Sequence, residues 1–165
     1  MALKFRFLLV FISIGAASFA QEWTSNFTNF VGSGQSNDLG LSITHFRKLD
    51  RNAISINLEM RSIDWGNQFN VGVGYLATYK EAKNWEFGGH TQLLLGIAPF
   101  KQKSIMAYGL AYAPYFRYKT LGRLFVEGSL GFRYNIAPGY SDYGIFQQIE
   151  FPLQLSLGLA PKNQD

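Results

Sequence analysis

The 165-residue chain contains no cysteine, so neither a disulfide framework nor a thiolate metal site is open to it. Its 15 Lys and Arg against 11 Asp and Glu give a formal charge of +4; without Lys4 and Arg6 that falls to about +2, too mild to argue for nucleic acid. The aromatic fraction is high, at 16% with 15 Phe and 9 Tyr, rich enough to supply interfacial girdles.

Lys4 and Arg6 precede an apolar run over residues 7–14, and the segment closes on Ser18-Phe19-Ala20, with small residues at the two positions a signal peptidase reads. This is the pattern of a cleaved secretory signal peptide over residues 1–20, with the cut between Ala20 and Gln21. No cysteine follows the cut, so a lipid-anchored lipoprotein is excluded, and there is no twin-arginine motif. No later segment offers about 18 uninterrupted apolar residues for a spanning helix. The exported chain is then soluble or inserted as a closed barrel, because only helices and closed barrels satisfy their backbone groups in lipid. The domain reading is a signal peptide at 1–20, a barrel at 21–160 and a C-terminal tail at 161–165.

Beyond the leader the chain divides into alternating segments separated by turn-like clusters, and none shows a helical period of 3.6. The first, residues 22–31, alternates poorly and is included because bacterial barrels of this kind normally close with an even strand number. The second, residues 38–48, sets Leu39, Leu41 and Ile43 against Ser42 and Thr44. In the third, Ile54, Ile56, Leu58 and Met60 oppose Ser55, Asn57, Glu59 and Arg61. The fourth sets Phe69, Val71, Val73, Tyr75 and Tyr79 against Gln68, Asn70, Gly72, Gly74 and Thr78. The fifth opposes Trp85, Phe87, Leu93, Leu95 and Ile97 to Glu86, Gly88, His90, Gln92 and Gly96.

The sixth strand places Tyr108, Leu110, Tyr112 and Phe116 opposite Ala107, Gly109, Ala111 and Ala113. The seventh places Leu124, Val126, Leu130, Phe132 and Tyr134 opposite Arg123, Glu127, Ser129, Gly131, Arg133 and Asn135. The last, residues 145–159, is the clearest. Apolar side chains recur at Ile145, Ile149, Phe151, Leu153, Leu155, Leu157 and Leu159, with Gln147 the exception. A tilted strand crosses a bilayer in about 9 to 11 residues, and several of these segments have that length. The connections at 48–52, 80–84 and 119–123 each carry Lys or Arg and read as periplasmic turns. Those at 32–37, 64–67, 99–104 and 137–143 face outside and are too short to be long recognition loops.

Composition decides which face is inside. A soluble barrel needs a solvent face dense in Lys and Glu, whereas the polar face here is crowded with Gly72, Gly74, Gly88, Gly96, Gly109, Gly131 and alanines. Small residues suit the lumen of an eight-stranded barrel, which side chains just fill. The charges on that face balance: Glu59, Glu86, Glu127 and Glu150 accompany Arg61, Arg123, Arg133 and His90. A lumenal polar network of Glu59, Arg61, Glu86, His90, Glu127, Arg133 and Glu150, structural in role, is the expected arrangement, with Arg133 or Arg61 as the partner of Glu127.

On these strands and this small-sided face, the chain resembles the small eight-stranded outer-membrane barrels of the OmpA and OmpX type, in architecture and without a diagnostic motif. The resemblance implies an all-β, antiparallel up-and-down transmembrane β-barrel of eight strands in a Gram-negative envelope, with a polar lumen. It gives Trp65, Phe100, Tyr118, Tyr134 and Tyr143 the role of aromatic belts. Such barrels commonly end on an aromatic residue read by the insertion machinery; this chain continues past Leu159 as Ala-Pro-Lys-Asn-Gln-Asp, leaving Leu153, Leu155, Leu157 and Leu159 as the candidate insertion signal.

Little chemistry is written on the polar face. Glu86 and His90 share it but stand about 13 Å apart along the strand, too far to pair. A catalytic reading needs a serine such as Ser129 or Ser42 from another strand. Lipid-modifying barrels carry a His-x-Ser-Asn arrangement, whereas His90 is followed by Thr91, Gln92 and Leu93. His45 and His90 fall on different strands without an acidic cluster, so no metal site is expected. Asn26-Phe27-Thr28 is a weak glycosylation match, and Gly32-Ser33-Gly34 reads as a turn.

The leading expectation is a non-enzymatic, porin-like outer-membrane barrel with a closed polar lumen and a structural or envelope-interaction role. It needs no cofactor, and its partners are outer-membrane lipids, the insertion machinery and an envelope protein, with no nucleic acid. Two alternatives share the alternation: a soluble periplasmic barrel holding a hydrophobic ligand against its Leu, Ile and Phe face, and a lipid-modifying outer-membrane enzyme using His90.

Overall fold

A computed structural model of the chain describes residues 22–32, 38–63, 66–100, 103–120, 123–137 and 146–160. The expected signal peptide, the tail, Trp65 and Tyr143 lie outside them. The described strands are β1 (Glu22–Gly32), β2 (Asp38–Leu49), β3 (Asn52–Ile63), β4 (Gly66–Glu81), β5 (Trp85–Phe100), β6 (Lys103–Lys119), β7 (Leu124–Leu130), β8 (Phe132–Ala137) and β9 (Phe146–Leu159). β1 to β7 pair antiparallel in chain order, and β9 pairs antiparallel with both β7 and β8. β1 closes on β9, from Trp23 opposite Leu159 to Gly32 opposite Glu150, so the sheet is a closed up-and-down barrel.

β7 and β8 are two halves of one stave, which makes the barrel eight-stranded. Ser129 stands opposite Tyr115 and Phe132 opposite Tyr112, so the register against β6 does not slip. The same continuity holds against β9, where Leu130 faces Leu153 and Arg133 faces Glu150. The break at Gly131 has a cause in both neighbours. Gly131 donates its N–H to the Pro152 carbonyl at 2.8 Å, but proline has no N–H to return to the Gly131 carbonyl. On the other side, the unbroken register between Tyr115–Ser129 and Tyr112–Phe132 sets Leu130 against Pro114, which lacks a donor in the same way.

At the end holding Trp23 and Leu159, β2 and β3 meet in a two-residue turn in which Asp50 takes φ 55°, the left-handed value tight hairpins need. Residues 82–84 join β4 to β5, with the Ala82 N–H on the Trp85 carbonyl at 2.8 Å. Between β4 and β5 the register shifts by one residue: Thr78 faces Gly88 and Lys80 faces Phe87. Tyr79 is the extra residue of this β-bulge.

The alternation now has directions. The large apolar side chains point outward: Ile54, Ile56, Leu58, Val71, Val73, Leu93, Leu95, Leu110, Leu153, Leu155 and Leu157 are among a belt of side chains 41–61% exposed. The charges point inward: Glu22, Asp38, Glu59, Arg61, Glu86, Arg117, Glu127, Arg133 and Glu150 are all buried. A soluble barrel has the reverse arrangement, so the reading in which the Leu, Ile and Phe face lines a ligand cavity is overturned. The lumen is also less uniformly polar than the sequence suggests. Phe30, Phe46, Leu76, Leu94, Ile105, Tyr115 and Phe125 fill it as well, the bulkiest over glycines: a Cβ on Gly40 would meet the Phe30 ring at 2.7 Å, and one on Gly158 the Phe125 ring at 2.1 Å.

Candidate functional site

The inward charges gather into two clusters at different levels of the lumen. Arg117 of β6 organises the one nearer the chain termini. It lies directly across from Glu127 on β7, donating to it from Nε at 2.9 Å and Nη2 at 2.7 Å. Its Nη1 bonds Glu22 of β1 and lies 3.9 Å from Glu86. Glu86 accepts from the Tyr115 hydroxyl at 2.6 Å and the Thr78 hydroxyl at 3.1 Å, with Lys119 at 3.4 Å. The Phe125 ring packs on the guanidinium at 4.1 Å, a cation–π contact that strengthens where water is scarce.

The second cluster is built on Arg61 of β3 and Arg133 of β8. Arg61 bonds Asp38 and Glu150, the latter at 2.8 Å from Nη1. Arg133 bonds Glu59 at 2.8 Å and the Asn135 amide oxygen at 2.9 Å, and Asn135 in turn donates to Glu150 at 2.9 Å. Glu59 also accepts from Asn70 at 2.6 Å. The Phe30 ring lies under both guanidinium groups, at 4.4 and 5.2 Å. A buried network of this kind holds only because nearly every charge is met by an opposite charge and further hydrogen bonds.

Between the clusters the lumen is neutral. Asn26 donates to Ser42 and Thr44 at 2.9 Å, and Thr44 donates to Asn57 at 3.2 Å. His90 Nε2 lies 2.7 Å from the Ser55 hydroxyl and the ring is 5.6 Å from Phe46. A cavity of about 40 Å³ remains, bordered by Thr28, His90, Gln92, Ser129 and Gln154 and by the charged groups above and below. It has room for a few waters.

Of the residues singled out from sequence, Glu59, Arg61, Arg133 and Glu150 fall in one cluster, and Glu86 and Glu127 in the other. His90 joins neither. The partner of Glu127 is Arg117, not Arg133 or Arg61: Arg133 lies six residues on, about 20 Å along the stave. Arg123 stays at the rim, donating to the Ala160 carbonyl at 2.9 Å. Arg117 lies beyond the run of small residues that ends at Ala113; every second residue from there, stepping past Pro114, is Tyr115 and then Arg117. Glu22 and Asp38 open their strands, Glu22 in the segment that alternates poorly and Asp38 ahead of the clear alternation from Leu39 to Thr44. Of the expected belt, Tyr118 is exposed and Tyr134 partly so.

The Ser55–His90 contact has the length of a nucleophile–base pair, reached by neither Ser42 nor Ser129. Ser55 is 1% exposed, however, and the ring's other polar neighbour is the Gln92 amide at 3.3–3.5 Å, where a carboxylate would be needed to support an imidazolium. The pair works as a lumenal hydrogen bond. Among the described residues no group of three or more His, Asp or Glu side chains could hold a metal ion.

No protein-family model and no curated protein sequence matches the chain. Among solved structures, the crystal structure of Neisserial surface protein A, NspA, superposes with a TM-score of 0.58 at 9% identity, covering 84% of this chain and 94% of that one. The fold is that of a small outer-membrane barrel. The NanC porin is also similar, at a TM-score of 0.36 and 10% identity over 87% of this chain and 100% of that one.

Proposed function

We propose that the chain is an integral outer-membrane protein, exported with cleavage of residues 1–20, that serves the envelope as a non-enzymatic, non-conducting barrel with a structural or interaction role. The observation that carries this reading is the inversion of polarity: an apolar belt outside and paired charges inside. A bilayer is the environment in which that arrangement is stable. The end of the barrel that holds Trp23, Leu159 and the turn at Asp50 then faces the periplasm, and the opposite end faces outward.

Two ionic clusters stacked along the axis, each crossing from strand to strand, support a closed lumen. A hydrated ion would have to break the Arg117 bonds to Glu22 and Glu127 and then those of Arg61 and Arg133 to Glu150 and Glu59. The test is cell fractionation with planar-bilayer recording of the purified protein. Recovery in the outer membrane, extraction only by detergent and electrically silent bilayers are expected; steady conductance would overturn the closed-lumen reading, and recovery in the periplasm would overturn the membrane reading.

A further inference from the structure

The β-bulge at Tyr79 changes what the outside of the barrel presents. In regular alternation Tyr79 and Lys80 would point to opposite faces, but the extra residue leaves Lys80 facing Phe87, an outward position, while Tyr79 is itself exposed. Two consecutive residues therefore stand on the lipid side. The Lys80 ammonium lies over the Trp85 ring at 5.6 Å, and Trp85 stacks with Phe116 at 6.1 Å. Lys83, in the following turn, is exposed. Glu81, the carboxylate between the two lysines in sequence, is drawn away to Lys119.

Deeper on the same face, the Tyr79 and Tyr112 hydroxyls meet at 3.3 Å. They do so over Gly89, where a Cβ would come within 2.6 and 2.7 Å of the two oxygens. One hydroxyl donates to the other, so one O–H is left without a protein acceptor among the described residues, beside an apolar belt where an unmet donor is costly. Beyond the pair lie Thr91, exposed and directly opposite both Tyr75 and Tyr112, and then the apolar Leu93, Leu95 and Leu110. From the rim inward the surface thus offers cations, a ring shelf, a free hydroxyl donor and an apolar strip.

That order is the order of groups in a glycerophospholipid. We propose that the outward face of β4, β5 and β6 at the turn end binds one anionic phospholipid, with its phosphate at Lys80 and Lys83, an ester oxygen on the tyrosine pair and its acyl chains along Leu93 and Leu110. This rests on the bilayer reading above and deepens it by naming a lipid class and a place.

The test is native mass spectrometry of the detergent-purified protein titrated with phosphatidylglycerol or phosphatidylcholine. Wild type binds one phosphatidylglycerol in preference to phosphatidylcholine. Each of Lys80→Gln and Lys83→Gln weakens phosphatidylglycerol binding about fivefold, as expected for one basic residue at a lipid headgroup. Tyr79→Phe with Tyr112→Phe weakens both lipids alike. Equal binding of the two lipids by wild type, or a preference that survives the double lysine replacement, overturns the site. The gel-mobility shift on heating, measured on the same samples, separates the failures: a normal shift without lipid preference refutes the site alone, whereas no shift refutes the bilayer reading beneath it.

Discussion

Arg117 and Glu127 face each other across the β6–β7 pair, 2.7 Å apart and both buried, and the same guanidinium also holds Glu22 of β1. One side chain thereby joins the sixth and seventh strands to the first, on the far side of the seam where β1 closes on β9.

Removing that cation leaves Glu127 uncompensated in the lumen and leaves Glu22 to the longer contact with Lys48 at 3.7 Å. Arg117→Leu is expected to destabilise the barrel by about 3–5 kcal/mol in denaturant unfolding in detergent or lipid, the usual cost of breaking a buried pair. Arg117→Leu with Glu127→Leu should cost less than the sum of the two single changes. Strict additivity would mean that water, rather than the partner, solvates each group.

The outward face makes a depth-dependent prediction. Leu155, 60% exposed near the middle of β9, should tolerate arginine at a cost of about 2–4 kcal/mol, whereas Leu159, at the rim opposite Trp23, should lose only about 0–1 kcal/mol. Folding equilibria in lipid vesicles measure both; equal costs would place the two positions in the same medium.

Lumen packing gives a third. A methyl on Gly158 falls inside the Phe125 ring, so Gly158→Ala should cost about 1–3 kcal/mol through overpacking. Adding Phe125→Leu should recover part of it, read as a rise in the thermal midpoint over the single variant. An unchanged midpoint would show that the ring moves aside freely.

The Ser55–His90 bond gives the fourth. Ser55→Ala removes the ring's short hydrogen bond and should cost about 1–3 kcal/mol, the range for a buried polar group left unmet. Denaturant midpoints of wild type and variant decide it, and no loss of stability would mean that water replaces the hydroxyl.

These contacts also show where sequence stops being informative. The period of two is legible because one face of every strand meets a different medium, so the staves from Ile54 through Leu157 could be traced from residue types alone. β1 was faint because its lumenal side, Thr24, Asn26 and Thr28, and its outer side, Ser25 and Asn29, are both polar; pairing with β2 and β9 makes it a strand. Partner choice in the lumen depends on register and on how the strands stagger around the barrel. No local pattern relates Arg133 to Glu59, 74 residues away, or Arg61 to Glu150, 89 residues away. The bulge at Tyr79 was equally silent, since its neighbours continue to alternate on either side.

The central claim is that this is a closed barrel standing in a membrane with its apolar face outward. Gel mobility of the detergent-extracted membrane fraction, compared before and after boiling, tests it most directly. The unheated protein should migrate differently from the boiled one, because a closed barrel resists unfolding by the gel detergent. Protein recovered in the soluble periplasmic fraction, with identical mobility in both lanes, would contradict the account.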